Sequence, residues 1–133
     1  MEGIGMEHLK DKESKLEGEN CATCKGETLL STEEIESLNK ALESGWKVIN
    51  GHHLRRRFKF RTFQEALEFA NRVGDVSEEQ GHHPTITVGW GQADVEIYTH
   101  ALDGLSRSDF ILASKISRIV RQTYVRDRYV ATD

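Results

Sequence analysis

The sequence predicts an α+β fold: a four-stranded antiparallel sheet with helices packed on one face, in the order αββαββα. Three observations lead there. Three stretches place apolar residues at helical spacing, four short runs alternate or are rich in β-formers, and those runs come in pairs joined by turn residues. Paired strands read as hairpins, and helices between hairpins cover one face of an antiparallel sheet. A chain of 133 residues buries about two thirds of its unfolded surface, enough for one core. The expected division is a flexible N-terminal segment, 1–28, which holds a C-x-x-C, and a folded domain, 29–133.

The opening "MEGIGMEHLKDKESKLEGEN" carries three Lys and six acidic residues and no period that could bury a face, so it is expected to be mobile or loosely docked. It has neither the apolar core of a secretory signal nor the Arg-rich make-up of a transit peptide, and no later apolar run approaches the roughly 18 residues of a membrane span. The expected location is cytoplasmic. In "CATCKGE", Cys21 and Cys24 form a C-x-x-C without a second pair or a spaced histidine pair, a weak metal signal. Reduced thiols, a disulfide and an opportunistic metal all stay open there.

"STEEIESLNKALESG" starts the first helix. Ser31 and Glu34 make a capping-box pattern, Ile35, Leu38 and Leu42 share a face, and Gly45 stops it. "WKVIN" and "LRRRFKFR" flank the turn-like "GHH". In the second run Leu54, Phe58 and Phe60 alternate with basic residues, and Arg56 breaks the pattern on the face that should be buried. "TFQEALEFANRVGDVSEE" repeats the capping logic with Thr62 and Glu65, and Phe63, Ala66, Leu67, Ala70 and Val73 form its apolar stripe. "TITVGW" and "ADVEIYTH" make a second hairpin around Gly91-Gln92, with Ile86, Val88 and Trp90 on one face and Val95 and Ile97 on one face of the return strand. The last helix, in "LSRSDFILASKISRIVRQTYV", begins at Ser106 or Ser108 and presents Phe110, Ile111, Ile116, Ile119, Val120 and Tyr124.

Charged residues make up 30% of the chain and hydrophobic ones 37%, with a net charge of −4. That balance advertises neither nucleic acid nor an anionic membrane. "LRRRFKFR" alternates basic and aromatic residues, yet the glycine spacing of an RNA-recognition motif is missing and the body is near neutral. A solvated strand face is the better reading.

The residues that suggest chemistry are Glu78-x3-His82-His83-Pro84-x5-Trp90-x9-His100-x8-Asp109. Pro84 restricts His83 to extended backbone, where neighbouring side chains point apart, so His82 and His83 divide any work between them. For the same reason they do not chelate one tetrahedral ion, and no metal is expected. Alternation puts His100 opposite Val95 and Ile97, so with those two facing the helices it faces the uncovered side or the strand's open end. Glu78 stands one helical turn before His82, close enough to orient it. Asp109 falls third after Ser106, in the first turn of a helix, where a carboxylate favours the free N–H groups. Trp90 is core or pocket wall. His52 and His53 form a second pair, read as turn residues in "NGHH".

This spacing resembles the pterin-4a-carbinolamine dehydratase family. The resemblance covers about residues 31 to 120 and includes the E-x3-HHP segment, the strand ending in "YTH" and the G-L-S-x-x-D start of "GLSRSDFILASKI". It implies a hydro-lyase that removes water from a 4a-hydroxytetrahydropterin, the spent pterin of an aromatic amino acid hydroxylase, giving the quinonoid dihydropterin. It further implies that His82 and His100 flank the pterin and act as acids toward its hydroxyl on either ring face. The same resemblance implies that His83 holds the heterocycle and steadies the departing proton, and Glu78, Pro84, Trp90, Thr99 and Asp109 are the residues expected to surround it. The pterin is substrate, so no cofactor is implied, and the resemblance implies a homodimer or homotetramer. Ile86 and Thr87 stand where animal members commonly show an aromatic pair, and Gly91 where Asn is frequent, so the pocket walls differ. Two alternatives are a non-catalytic protein that stabilises a transcription-factor dimer, as some relatives do, and a metal-binding protein using the three histidines.

Overall fold

The computed structural model describes residues 13, 15–21, 27–42 and 45–123. Its elements run α1 Thr32–Ala41, β1 Lys47–Ile49, β2 His53–Lys59, α2 Phe63–Gln80, β3 Thr85–Gly89, β4 Gln92–Ile97, a 3-10 turn His100–Leu102 and α3 Arg107–Thr123. This is the expected αββαββα order. One antiparallel sheet in the order β1-β2-β4-β3 gathers both hairpins. Leu54 pairs with Ile97 and Thr85 with Glu96, so the start of β2, the end of β4 and the start of β3 lie at one end of the sheet.

Alternation sorts the two faces. Leu54, Phe58, Ala93, Val95 and Ile97 are fully buried under the helices, while Arg57 grips Asp94 on the open face through Nε–Oδ1 at 2.7 Å and Nη2–Oδ2 at 3.1 Å. Arg56 is buried, as its phase demands. Its guanidinium lies 4.4 Å from the Phe58 ring centre and donates to Ser117 Oγ at 3.1 Å. The charge is thus sandwiched between a ring face and a hydroxyl.

Ser31 and Glu34 form the full capping box of α1. The helix ends earlier than Gly45 suggests, with Leu42 as its C-cap. In α2 the buried stripe runs through Ala66, Phe69, Val73 and Ser77. Phe63, the first residue of the helix, is 44% exposed instead, although Glu65 and Ala66 of the same turn are buried. The second hairpin turns at Trp90-Gly91, one residue before the expected position. Gly91 has φ 68, and a Cβ on it would meet the Phe60 carbonyl at 3.1 Å. Trp90 therefore sits on the outside of the turn, 80% exposed.

The last helix is buried nearly all round, from Ser108 to Val120. Part of that cover comes from the N-terminal segment. Leu16 and Cys21 are 2% and 1% exposed, Glu19 holds Arg107 at 2.7 and 2.9 Å, and Lys115 donates to the Glu17 carbonyl at 2.6 Å. Cys24, and with it the C-x-x-C as a pair, lies outside the described residues, as does Tyr124.

Candidate active site

The sheet register brings five of the chain's six histidines to one end. His52 and His53 lie where β2 starts, His82 and His83 just before β3, and His100 just after β4.

His82 is set by the end of α2. Gly81 adopts the left-handed conformation, φ 64, as the helix C-cap, and the His82 amide donates back to the Ser77 carbonyl at 3.2 Å. That closure turns the chain and aims the His82 side chain inward. Only 8% of His82 is exposed, and Asp109 is fully buried. His82 Nε2 lies 2.6 Å from Asp109 Oδ1.

The other oxygen of Asp109 is equally engaged. Oδ2 accepts from Thr99 Oγ1 and from the Ser106 amide, both at 2.8 Å. Thr99 has one hydroxyl proton and spends it on Asp109, so the 2.7 Å contact between the two hydroxyls has Ser106 Oγ donating to Thr99. A carboxylate is acceptor-only, which assigns the proton of His82 to Nε2 and leaves Nδ1 outside this pair. Asp109 thus ties the start of α3, the strand end beside His100 and the His82 loop into one buried network. The expected helix-start role is present, and the same group orients the imidazole.

Glu78 does not reach His82. Its Oε2 instead meets His83 Nε2 in a short contact, with both side chains more than half exposed. The cause is Gly81: the reversal there swings His82 under the sheet end and leaves His83 on the outer side with the last turn of α2. Pro84 is half-buried between this pair and Thr85.

His100 opens the 3-10 turn and is exposed. Among the described residues its ring contact is Tyr98, with centres 4.2 Å apart and planes inclined by 35°. Trp90 follows the far end of β3, so it stands roughly five strand residues, about 17 Å, from the histidine end within one chain. Ser106 and Tyr98 join the set that the spacing had named. Ser106 was visible only as a helix start, and Tyr98 only as a neighbour of His100 in "YTH". Among the described residues no group of three or more His, Cys, Asp or Glu is arranged to hold a metal ion, and no helix is long and apolar enough to cross a membrane.

Comparison with known proteins matches residues 28–119 to the family model for pterin 4 alpha carbinolamine dehydratase. A protein of Rubrobacter xylanophilus, named provisionally as a pterin-4-alpha-carbinolamine dehydratase, is 50% identical over 107 residues, covering 80% of this chain and 99% of its own. One of Alkaliphilus metalliredigens with the same provisional name is 42% identical over 106 residues, covering 79% and 96%. Among solved structures, one from Brucella melitensis described as a transcriptional coactivator/pterin dehydratase superposes with a TM-score of 0.65 at 29% identity, covering 69% of this chain and 98% of that one.

Proposed function

Because this chain belongs to the pterin 4 alpha carbinolamine dehydratase family of hydro-lyases, we propose that it converts a 4a-hydroxytetrahydropterin to the quinonoid dihydropterin and water. The C4a–O bond breaks as its oxygen takes a proton, the N5 lone pair forms the C4a=N5 bond, and N5 gives up its hydrogen. One proton is delivered and one removed, so imidazoles, which exchange protons near neutral pH, suffice for the whole step.

The single observation that carries the reading is the His82–Asp109 pair, 2.6 Å apart and buried. With Nε2–H committed to Asp109, Nδ1 of His82 delivers the proton to the leaving hydroxyl, and the carboxylate holds the ring in place for that delivery. His100 performs the same delivery from the other ring face, which lets both C4a stereoisomers react. His83, paired with Glu78, holds the heterocycle and steadies the proton leaving N5. The pterin comes from an aromatic amino acid hydroxylase, and the working form is a homodimer or homotetramer.

A stopped assay of 4a-hydroxytetrahydropterin loss tests this. Removal of both His82 and His100 by alanine lowers turnover by about a hundredfold or more. Each single variant loses rate mainly for one stereoisomer. Wild-type turnover in the double variant overturns the proposal.

A further inference from the structure

Resting on the reading of His100 as an acid, we propose that Tyr98, His52 and Asp103 form a clasp that positions the His100 ring. His82 is held by a buried carboxylate, whereas His100 is exposed on a three-residue turn, where an imidazole has several rotamers open to it. An acid that must meet one oxygen needs that freedom removed.

The clasp closes on itself. The Tyr98 ring, stacked 4.2 Å from His100, also meets the His52 ring at 4.6 Å with planes inclined by 43°. Both contacts are tilted, between the offset-stacked and edge-to-face arrangements that aromatic pairs favour, and close enough for the rings to touch. His52 Nε2 lies 2.8 Å from Asp103 Oδ1, and the Asp103 amide donates to the His100 carbonyl at 3.1 Å. Asp103 reaches both partners because its backbone is left-handed, φ 49 and ψ 48, at the end of the 3-10 turn. From His100 the path thus runs through Tyr98, His52 and Asp103 and returns to His100.

His53 anchors the clasp to the sheet. Its Nδ1 lies 3.1 Å from His52 Nδ1, its Nε2 lies 3.6 Å from Glu96, and its backbone pairs with Ile49 on β1. The ring planes of His52 and His53 are inclined by 82° with centres 5.3 Å apart, and their Nδ1 atoms lie within hydrogen-bond distance of each other. That is the geometry of a shared hydrogen bond rather than of two ligands converging on an ion. The turn "NGHH" therefore does more than reverse the chain: it docks the β1–β2 hairpin onto the loop that carries His100.

Isomer-resolved kinetics and NMR of the His100 ring protons test the clasp in Tyr98→Ala, Tyr98→Phe and His52→Ala, beside His100→Ala. We expect Tyr98→Ala and His52→Ala to lower kcat roughly tenfold to a hundredfold, with KM little changed, for the isomer that His100→Ala slows. The other isomer keeps its rate, and Tyr98→Phe restores wild-type behaviour. In Tyr98→Ala the His100 resonances lose their ring-current shift, while in Tyr98→Phe they keep it. Both alanine variants with the wild-type isomer ratio and unmoved His100 resonances overturn the clasp. If His100→Ala slows neither isomer, the acid role of His100 falls instead, and the resonances alone decide the clasp: lost shift supports it, unchanged shift overturns it.

Discussion

Asp109 is fully buried at the first turn of α3, and its two oxygens receive protons from three different segments: Nε2 of His82 on one, Thr99 Oγ1 and the Ser106 amide on the other. Replacing it with asparagine keeps the shape but presents an amide N–H₂ where His82 needs an acceptor, which drives the imidazole to its other tautomer. Turnover of the isomer served by His82 is predicted to fall about a hundredfold or more in Asp109→Asn. In Asp109→Ala the buried donors lose their acceptor altogether, and urea unfolding is predicted to show a loss of about 3 kcal/mol. The sequence disclosed half of this residue. Its spacing from Ser106 announced a helix start, because caps are local. The bond to His82 spans 27 positions and depends on how α3 crosses the end of α2, which no local pattern encodes. Glu78 shows the converse: helical spacing made it a neighbour of His82, and the left-handed turn at Gly81 handed it to His83. Gly81→Ala, at φ 64, is predicted to cost about 1 kcal/mol in thermal or urea unfolding and to reduce the isomer served by His82 more than the other.

Among the elements, α3 packs against the segment 15–21 as well as against the sheet. The helix is apolar on more sides than one sheet face can cover, and Leu16, Glu17, Glu19 and Cys21 close the remaining side. Cys21 also donates from its amide to Gln80 Oε1 at 2.7 Å and from its thiol to the Ser108 carbonyl at 3.4 Å, so the segment touches the end of α2 and the start of α3 on either side of the His82–Asp109 pair. Leu16→Ala is predicted to lower stability by about 2 to 4 kcal/mol in urea unfolding. Hydrogen bonding from Arg107 holds the Glu19 carboxyl below its ordinary range, against the raising effect of partial burial. A depressed folded value means that the pair's stabilisation is complete above the unfolded value, near 4.5, and is lost as pH falls through the lower folded one. Limited proteolysis is therefore predicted to reach this segment more readily below about pH 4 than at pH 7. Arg107→Ala should reduce that contrast, the remainder coming from the Glu17 and Glu13 pairs with Arg121. The helices and strands were legible because each repeats a period over several residues. The N-terminal segment has no period to read, since it docks through a few isolated residues.

At the scale of the whole molecule, the alternation of β2 and β4 and the two hairpins were enough to specify an antiparallel sheet covered on one face. Arg56, which interrupts the apolar phase of β2, kept its buried position by lying over Phe58. The grouping of His82, His83 and His100 was implied by the family resemblance alone, and the arrival of His52 and His53 at the same end was not legible, because it follows from the order β1-β2-β4-β3 and not from any one strand. His52 and His53 were read as turn filling for the same reason: their partners, Tyr98 and Asp103, come from the segment that follows the other hairpin. The proposed dehydration requires His82, His83 and His100 to surround one bicyclic ligand in the working assembly. Its most direct test is an NMR titration of the protein with a stable dihydropterin, following the ring protons of each histidine. The resonances of all three are predicted to move along one saturation curve, while those of the chain's remaining described histidine pair respond less. Saturable binding that leaves two of the three unmoved would contradict it.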